Sequence, residues 1–331
     1  MVSTMRCNTD YIQLLWNKLA EQDAVYRALL AGDGANVCHA PYQDSTYGTQ
    51  DANYRNRMRL AYYLLYADIH EEEPIHFLFR EELKDRQTNG FQGIGHGLNV
   101  LTVLLRFHNA SGKYTSLFQQ AKMANFDCAA GYDIDVEIDA DLNSNDLLGC
   151  IYLAQDLNYP DVMGSLVDRW KASVIEWTDT NRNMLLRFNT TLNRHAENEA
   201  IHKQILASSL SGSTFQIASA YKQLIEYYIG QQDYFSAEHY LTELTTQYNL
   251  TDIRPFRLFS YFLEYALEII ANVPESAPRL WPWAKSELKR TTHKFGNLYT
   301  KGIAAAKTAK DSYARKLEAE YLLWKRRFKI K

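Results

Sequence analysis

The sequence predicts an all-α protein built from antiparallel helix pairs, and three observations carry that expectation. Glycine and proline are scarce, 15 and 7 in 331 residues, about 7 % against a usual combined share of about 12 %. Apolar residues recur at helical spacing along most of the chain. The connectors between those stretches, such as NYP, DTN, SGS and QQD, are short enough to leave neighbouring helices antiparallel. With 46 % apolar and 23 % charged residues, the composition excludes disordered, collagen-like and low-complexity classes.

The elements follow in order. Ile12, Leu15, Trp16 and Leu19, then Val25, Tyr26 and Leu29, place helix over residues 10–30. Residues 31–50 hold three glycines, a proline and several Asp, Asn and Ser, and read as a loop. Tyr54, Met58, Ala61, Tyr62 and Leu65 share one face of a helix over 51–66. The run His70 to Pro74 ends it and puts acids at the start of the next, over 75–85, as the helix dipole favours. A glycine-rich turn, Gln92 to Gly97, opens an apolar helix over 98–107, and 115–125 forms its partner.

Residues 129–146 change character. Ile134, Val136, Ile138, Ala140 and Leu142 alternate with Asp133, Asp135, Glu137, Asp139 and Asp141. Period-two alternation predicts a short extended segment near 133–142 with one apolar and one acidic face. Helices then run over 147–157, 161–177, 181–208, 214–230, 234–248, 255–272, 279–300 and 302–328. This divides the chain into an N-terminal helical region, 1–130, an acidic connector, 131–146, and a C-terminal helical-repeat region, 147–331.

Charge is uneven. The formal balance is −3, but residues 285–331 carry 14 Lys and Arg against 4 Asp and Glu, leaving −13 for residues 1–284. There is no 18-residue apolar run, and Met1 to Asp10 lacks the pattern of a secretory leader, so no membrane partner is expected. Cys7, Cys38, Cys128 and Cys150 form no CxxC pair, which suits reduced thiols and a cytoplasmic location.

Residues Ala220 to Tyr248 resemble a tetratricopeptide helix pair. Tyr221, Leu224 and Tyr228 line the first helix, Tyr234 follows the turn, and Ala237 and Leu244 pack in the second. Ala237 is small where the two helices must approach closely. Ile225 stands where that family carries a small residue, Leu241 and Leu244 replace an aromatic and an alanine, and no proline closes the unit. Weaker echoes lie at Leu101 to Asn125 and Asp146 to Trp170, without a strict 34-residue period. The resemblance implies a tetratricopeptide-like α-solenoid or elongated bundle.

Candidate chemistry is sparse. Asp133, Asp135, Glu137, Asp139 and Asp141 suggest either a docking ridge for a basic protein or a solvated face. A calcium loop starting at Asp133 would need glycine and glutamate where Ile138 and Ser144 stand, which counts against a metal. Gly93 to Gly97 lacks both a preceding strand and the GK[ST] of a phosphate loop. HEEEPIH is not a zinc motif, because Pro74 separates His70 from His76. His195, His202 and His239 fall on helices as partly buried polar tips. Trp170, Trp177, Trp281 and Trp283 read as interhelix packing, a few such rings serving as interface anchors. The basic tail keeps an apolar stripe through Ala305, Ala309, Tyr313, Leu317 and Tyr321, so it docks on the protein rather than on nucleic acid.

The expectation is a non-enzymatic protein-binding protein with no cofactor. Phe79 to Thr102, Ala121 to Asp133 and Cys150 to Leu157 are similar to uncharacterised bacterial helical proteins, among them toxin-immunity proteins. That resemblance implies occlusion of a cognate, basic toxin domain. The alternatives are a hydrolase assembled from His96, Asp127 and acids of 133–146, and a regulator that binds peptide or nucleic acid through its basic end.

Overall fold

A computed structural model describes residues 10–90, 93–138, 147–292 and 294–328. The chain is mostly helical, in closely packed adjacent pairs, with one small antiparallel sheet among the described residues. It divides into two units, residues 1–176 and 177–331.

The first unit holds α1 (Asp10–Leu19), α2 (Asp23–Leu30), strands β1 (Pro41–Asp44) and β2 (Gly48–Asp51), α3 (Tyr54–Tyr66), α4 (Glu72–Thr88), α5 (His96–Arg106), α6 (Thr115–Lys122), α7 (Phe126–Gly131), α8 (Leu147–Asp156) and α9 (Pro160–Ser173). Its core is the triangle of α3, α4 and α5, where Leu60, Leu64, Leu78, Phe79, Leu98 and Leu101 have no exposed surface. The sequence placed 147–173 with the C-terminal region, but α8 and α9 pack on α1 within this unit. Arg59 fixes α3 to the α8–α9 turn by donating to the carbonyls of Leu157 and Asn158 at 2.8 and 3.0 Å.

Residues 31–50 are not wholly loop. Pro41 pairs with Asp51 and Asp44 with Gly48 in an antiparallel hairpin. Its strands, PYQD and GTQD, have no apolar alternation, so pairing is set by turn chemistry and tertiary contact. The Asp44 carboxylate accepts from the N–H of Thr46 and Tyr47, both at 2.8 Å. Gly48 takes φ +74°, a region open to glycine. Gly90, just past α4, donates to the Thr49 carbonyl at 2.6 Å and holds the hairpin against that helix.

In the acidic segment, the described residues 133–138 are non-helical and begin with a turn. The Asp133 carboxylate accepts from the Asp135 N–H at 2.9 Å. Ile134, Val136 and Ile138 are half-buried, while Asp133, Asp135 and Glu137 are exposed. Asp139 and Asp141 lie outside the described residues.

The second unit stacks α10 (Asp179–Thr191), α11 (His195–Ser209), α12 (Thr214–Gly230), α13 (Tyr234–Gln247), α14 (Arg257–Asn272), α15 (Ala277–Arg290), α16 (Gly296–Thr308) and α17 (Tyr313–Arg327). α12, α14 and α16 pack side by side, and each pairs with the helix that follows it. The helix expected over 181–208 is broken at Asn193, and those over 279–300 and 302–328 become three helices. The breaks lie at Asn193, Thr291 to Phe295 and Ala309 to Ser312, none of which holds the glycine or proline that would have marked it.

Five helix pairs across the two units reverse through one device. Asp68, Asn158, Asn193, Gln232 and Lys310 each take φ between 51 and 59°. The next residue then donates back to the carbonyl of the preceding helix's last turn: Ile69 to Leu64, Tyr159 to Ala154, Arg194 to Asn189, Asp233 to Tyr228 and Asp311 to Ala306, all at 2.8–2.9 Å. This closure satisfies carbonyls that a helix end leaves open. Asn193 and Gln232 lie 39 residues apart and Lys310 lies 78 after Gln232, an interval longer than the tetratricopeptide period of about 34.

Candidate functional site

The densest chemistry in the first unit is a largely buried ionic cluster between β2, α3 and α4. Asp51 ends β2, Arg57 sits in the first turn of α3, and Glu82, Asp85 and Arg86 share one face of α4 at helical spacing. Arg57 donates through Nη2 to Asp51 Oδ2 at 2.7 Å, through Nε to Glu82 Oε2 at 2.8 Å and through Nη1 to the Val37 carbonyl at 3.2 Å. The side chains of Arg57, Asp51 and Glu82 are wholly buried. Arg86 pairs with Asp85, lies 3.3 Å from Glu82 Oε1 through Nε, and covers the Tyr54 ring at 5.1 Å.

Three carboxylates against two guanidiniums set the electrostatics. Burial pushes Glu82 above the usual carboxylate range, against the pull of Arg57 and Arg86. Burial acts on Asp51 in the same direction, but the N–H groups of Ala40 and Asn53, with Arg57, hold it below its ordinary value. Burial and the nearby Glu82 raise the Tyr54 hydroxyl to about 12. Apolar residues of similar volume fill a helical core at least as stably as buried ion pairs, so a cluster of this size is weak evidence for stability.

The glycine-rich turn takes its meaning from this cluster. Gly95 has φ +79°, and a Cβ there would lie 3.0 Å from Arg86 Nη1. A Cβ on Gly97 would lie 3.2 Å from the Glu82 carboxylate. The backbone therefore lies flat against the charged groups, where side chains would hold it away. Spacing in the sequence could have flagged these glycines as a close approach, but not to which residues.

His39, Asp51 and Asp85 each bring a ligand atom within 4.8 Å of the others. Arginine and amide donors already occupy the two carboxylates. Asp51 accepts from Ala40, Asn53 and Arg57, Asp85 accepts from Asn89 and Arg86, and His39 Nε2 lies 3.2 Å from Thr88 Oγ1. Arg57 and Arg86 supply the positive charge that a metal ion would, and an ion entering here would meet both.

The second unit offers an open surface. A groove of about 580 Å³ runs along α13, lined by Phe235, His239, Thr242 and Thr246 and edged by Arg279 of α15. Arg279 clasps Glu238 through Nε at 2.5 Å and Nη2 at 2.9 Å. On the helices α11, α12, α14 and α16, paired charges follow one another: Glu199 with Lys203, Lys222 with Glu226, and Lys301 with Glu264 and Glu268.

The residues singled out from the sequence fall in separate places. Tyr221, Leu224, Tyr228, Ala237 and Leu244 are buried between α12 and α13, and Tyr234 is half-buried. The Tyr228 hydroxyl donates to Glu199 at 2.9 Å. Asp135 lies 3.9 Å from Arg106, which also donates to the Ile134 carbonyl. His96 reaches Asp156 at 3.6 Å, both well exposed. Asp127, in the first turn of α7, has no described bond to His96. No protein-family model, no curated protein and no solved structure matches the chain.

Proposed function

We propose that this is a non-enzymatic protein-binding helical-repeat protein of the immunity type, which neutralises a cognate toxin by covering its active or docking face. The observation that carries the reading is the α13 groove with Phe235 on its lining, 68 % exposed. Water-exposed aromatic side chains beside a groove are the anchors that protein interfaces favour. Phe215 and Phe256 add a second surface pair, edge to face at 5.7 Å and each about half exposed. The tetratricopeptide-like reading of the second unit is supported by its stacked pairs and buried Ala237, and stands against its 39-residue interval.

Asp133, Asp135 and Glu137 are exposed and contribute to the reading through charge. A row of carboxylates accelerates encounter with a basic surface and discriminates against acidic ones. The partner is therefore expected to be a basic protein domain. Affinity capture of the full chain from its source cells, followed by reconstitution with the captured protein, tests this. A 1:1 complex in which the partner's toxicity is suppressed supports the reading. Turnover of a small substrate by the chain alone, lost in His96→Ala, overturns it in favour of an enzyme.

A further inference from the structure

The first unit holds a half-open cavity of about 620 Å³ between the hairpin, the start of α3, and Asn89, Gly93 and Gly95 after α4. We propose that this cavity binds a nucleoside monophosphate, the base among its tyrosines and the phosphate on its arginines. The volume lies within the range of about 300–1,000 Å³ typical of small-molecule sites.

The ring contacts come from Tyr42, Tyr47 and Tyr54. Tyr42 and Tyr47 are 50 and 64 % exposed, large aromatic faces that the fold itself leaves uncovered. Tyr54 is held still by Arg86 above its ring. Planar rings stack on such faces whatever the base, at about 1–3 kcal/mol for each contact.

The anion contacts come from Arg55 and Arg86. Arg55 is exposed on the lining and has no ion pair among the described residues. Arg86 has five N–H donors. Its Nη1 reaches the Gly93 carbonyl, its Nη2 reaches Asp85 and its Nε faces Glu82. Among the described residues, one N–H on each terminal nitrogen has no acceptor. Two guanidiniums that can pair with phosphate oxygens suit a doubly charged group better than a carboxylate. Asp51, the one carboxylate on the lining, is fully taken by Arg57, Ala40 and Asn53.

The buried cluster behind the lining gives this site its rigidity. Arg57 fixes Glu82, and Glu82 with Asp85 fixes Arg86, so one half of the phosphate clamp is set before the ligand arrives. Gln50 is set likewise, the two N–H groups of its Nε2 shared among the Tyr47 and Thr49 carbonyls and Asn89 Oδ1 at 3.0–3.1 Å. That orientation leaves Oε1 as an acceptor for the exocyclic amine of a base. A site built this way gives the buried ion pairs a purpose other than stability, and it stands independently of any protein partner.

Calorimetric titration of the purified full chain with AMP, GMP, CMP and UMP tests the proposal, with adenosine and inorganic phosphate as partial ligands. At least one monophosphate is expected to bind, and both partial ligands to bind at least about tenfold more weakly. Arg55→Ala and Tyr47→Ala, both on exposed side chains, are each expected to weaken it about tenfold without moving the urea midpoint. The proposal is overturned if no monophosphate binds at millimolar concentration, if phosphate alone binds as tightly, or if both variants keep full affinity.

Discussion

Arg57 and Glu82 meet at 2.8 Å with neither side chain exposed to solvent. The pair ties the first turn of α3 to the middle of α4, and through Asp51 it reaches the hairpin. Charges this deep are costly to separate, because the partner left behind keeps its charge without compensation.

Arg57→Met is therefore expected to destabilise the first unit by about 3–5 kcal/mol, read from urea denaturation. The double variant Arg57→Met/Glu82→Leu is expected to lose less than the sum of the two single changes, by about 1 kcal/mol or more. Additive losses would mean that the two groups do not act on each other.

Gly95→Ala addresses the close approach of the glycine turn. Its φ of +79° strains any L side chain, and its Cβ would press on Arg86. A loss of about 1–3 kcal/mol is expected, with weaker protection of the α4 amides in hydrogen exchange. Gly32, also at positive φ (+91°) but with open space around it, is the control and should lose less on the same change.

The repeated turn gives a prediction of opposite sign. Gln232 and Lys310 hold left-handed conformations that L side chains adopt only at a cost. Gln232→Gly and Lys310→Gly are each expected to raise stability by about 0.5–1 kcal/mol, the relief of the Cβ contact outweighing the extra freedom of the unfolded chain. Thermal denaturation checks this, and a drop in Tm for both would show that the turn is not strained.

Much of the helical fold was legible because burial imposes a 3.6-residue period that survives in single stretches such as Leu98, Leu101 and Leu105. The hairpin was not, since Pro41–Asp44 and Gly48–Asp51 are polar and are held by the Asp44 turn and by Gly90, some forty residues on. Helix ends failed at Asn193 and Lys310 for a related reason: a left-handed cap formed by a residue other than glycine leaves no mark in composition. The ionic cluster was invisible because Asp51, Arg57, Glu82 and Arg86 are common surface types, and only the fold brings them inside. The glycines at 93, 95 and 97 were its one trace.

Acid should weaken the second unit in two steps. His202 is pushed down to about 4 by burial, against a weaker opposing effect of Glu226. The unfolded chain takes up that proton first, so stability falls as pH drops from about 6.5 to about 4. Asp311 is held at about 2 by Lys285, Trp281 and the Tyr313 N–H. Its contribution is present above the ordinary value of 3.8 and is lost as pH falls towards 2. Urea midpoints measured between pH 7 and 2.5 should show both slopes, the first flattened in His202→Gln and the second in Asp311→Asn.

On the proposed function, the protein binds another protein through the α13 groove, steered by the acidic segment. The direct measurement is the Kd of the reconstituted complex for the unaltered chain, for Phe235→Asp and for Asp133→Lys/Asp135→Lys, at low and high salt. Phe235→Asp is predicted to weaken binding by at least about 2 kcal/mol, chiefly through faster dissociation. The double charge reversal is predicted to slow association and to abolish most of its salt dependence. Unchanged Kd and unchanged association rate in both variants would contradict the account.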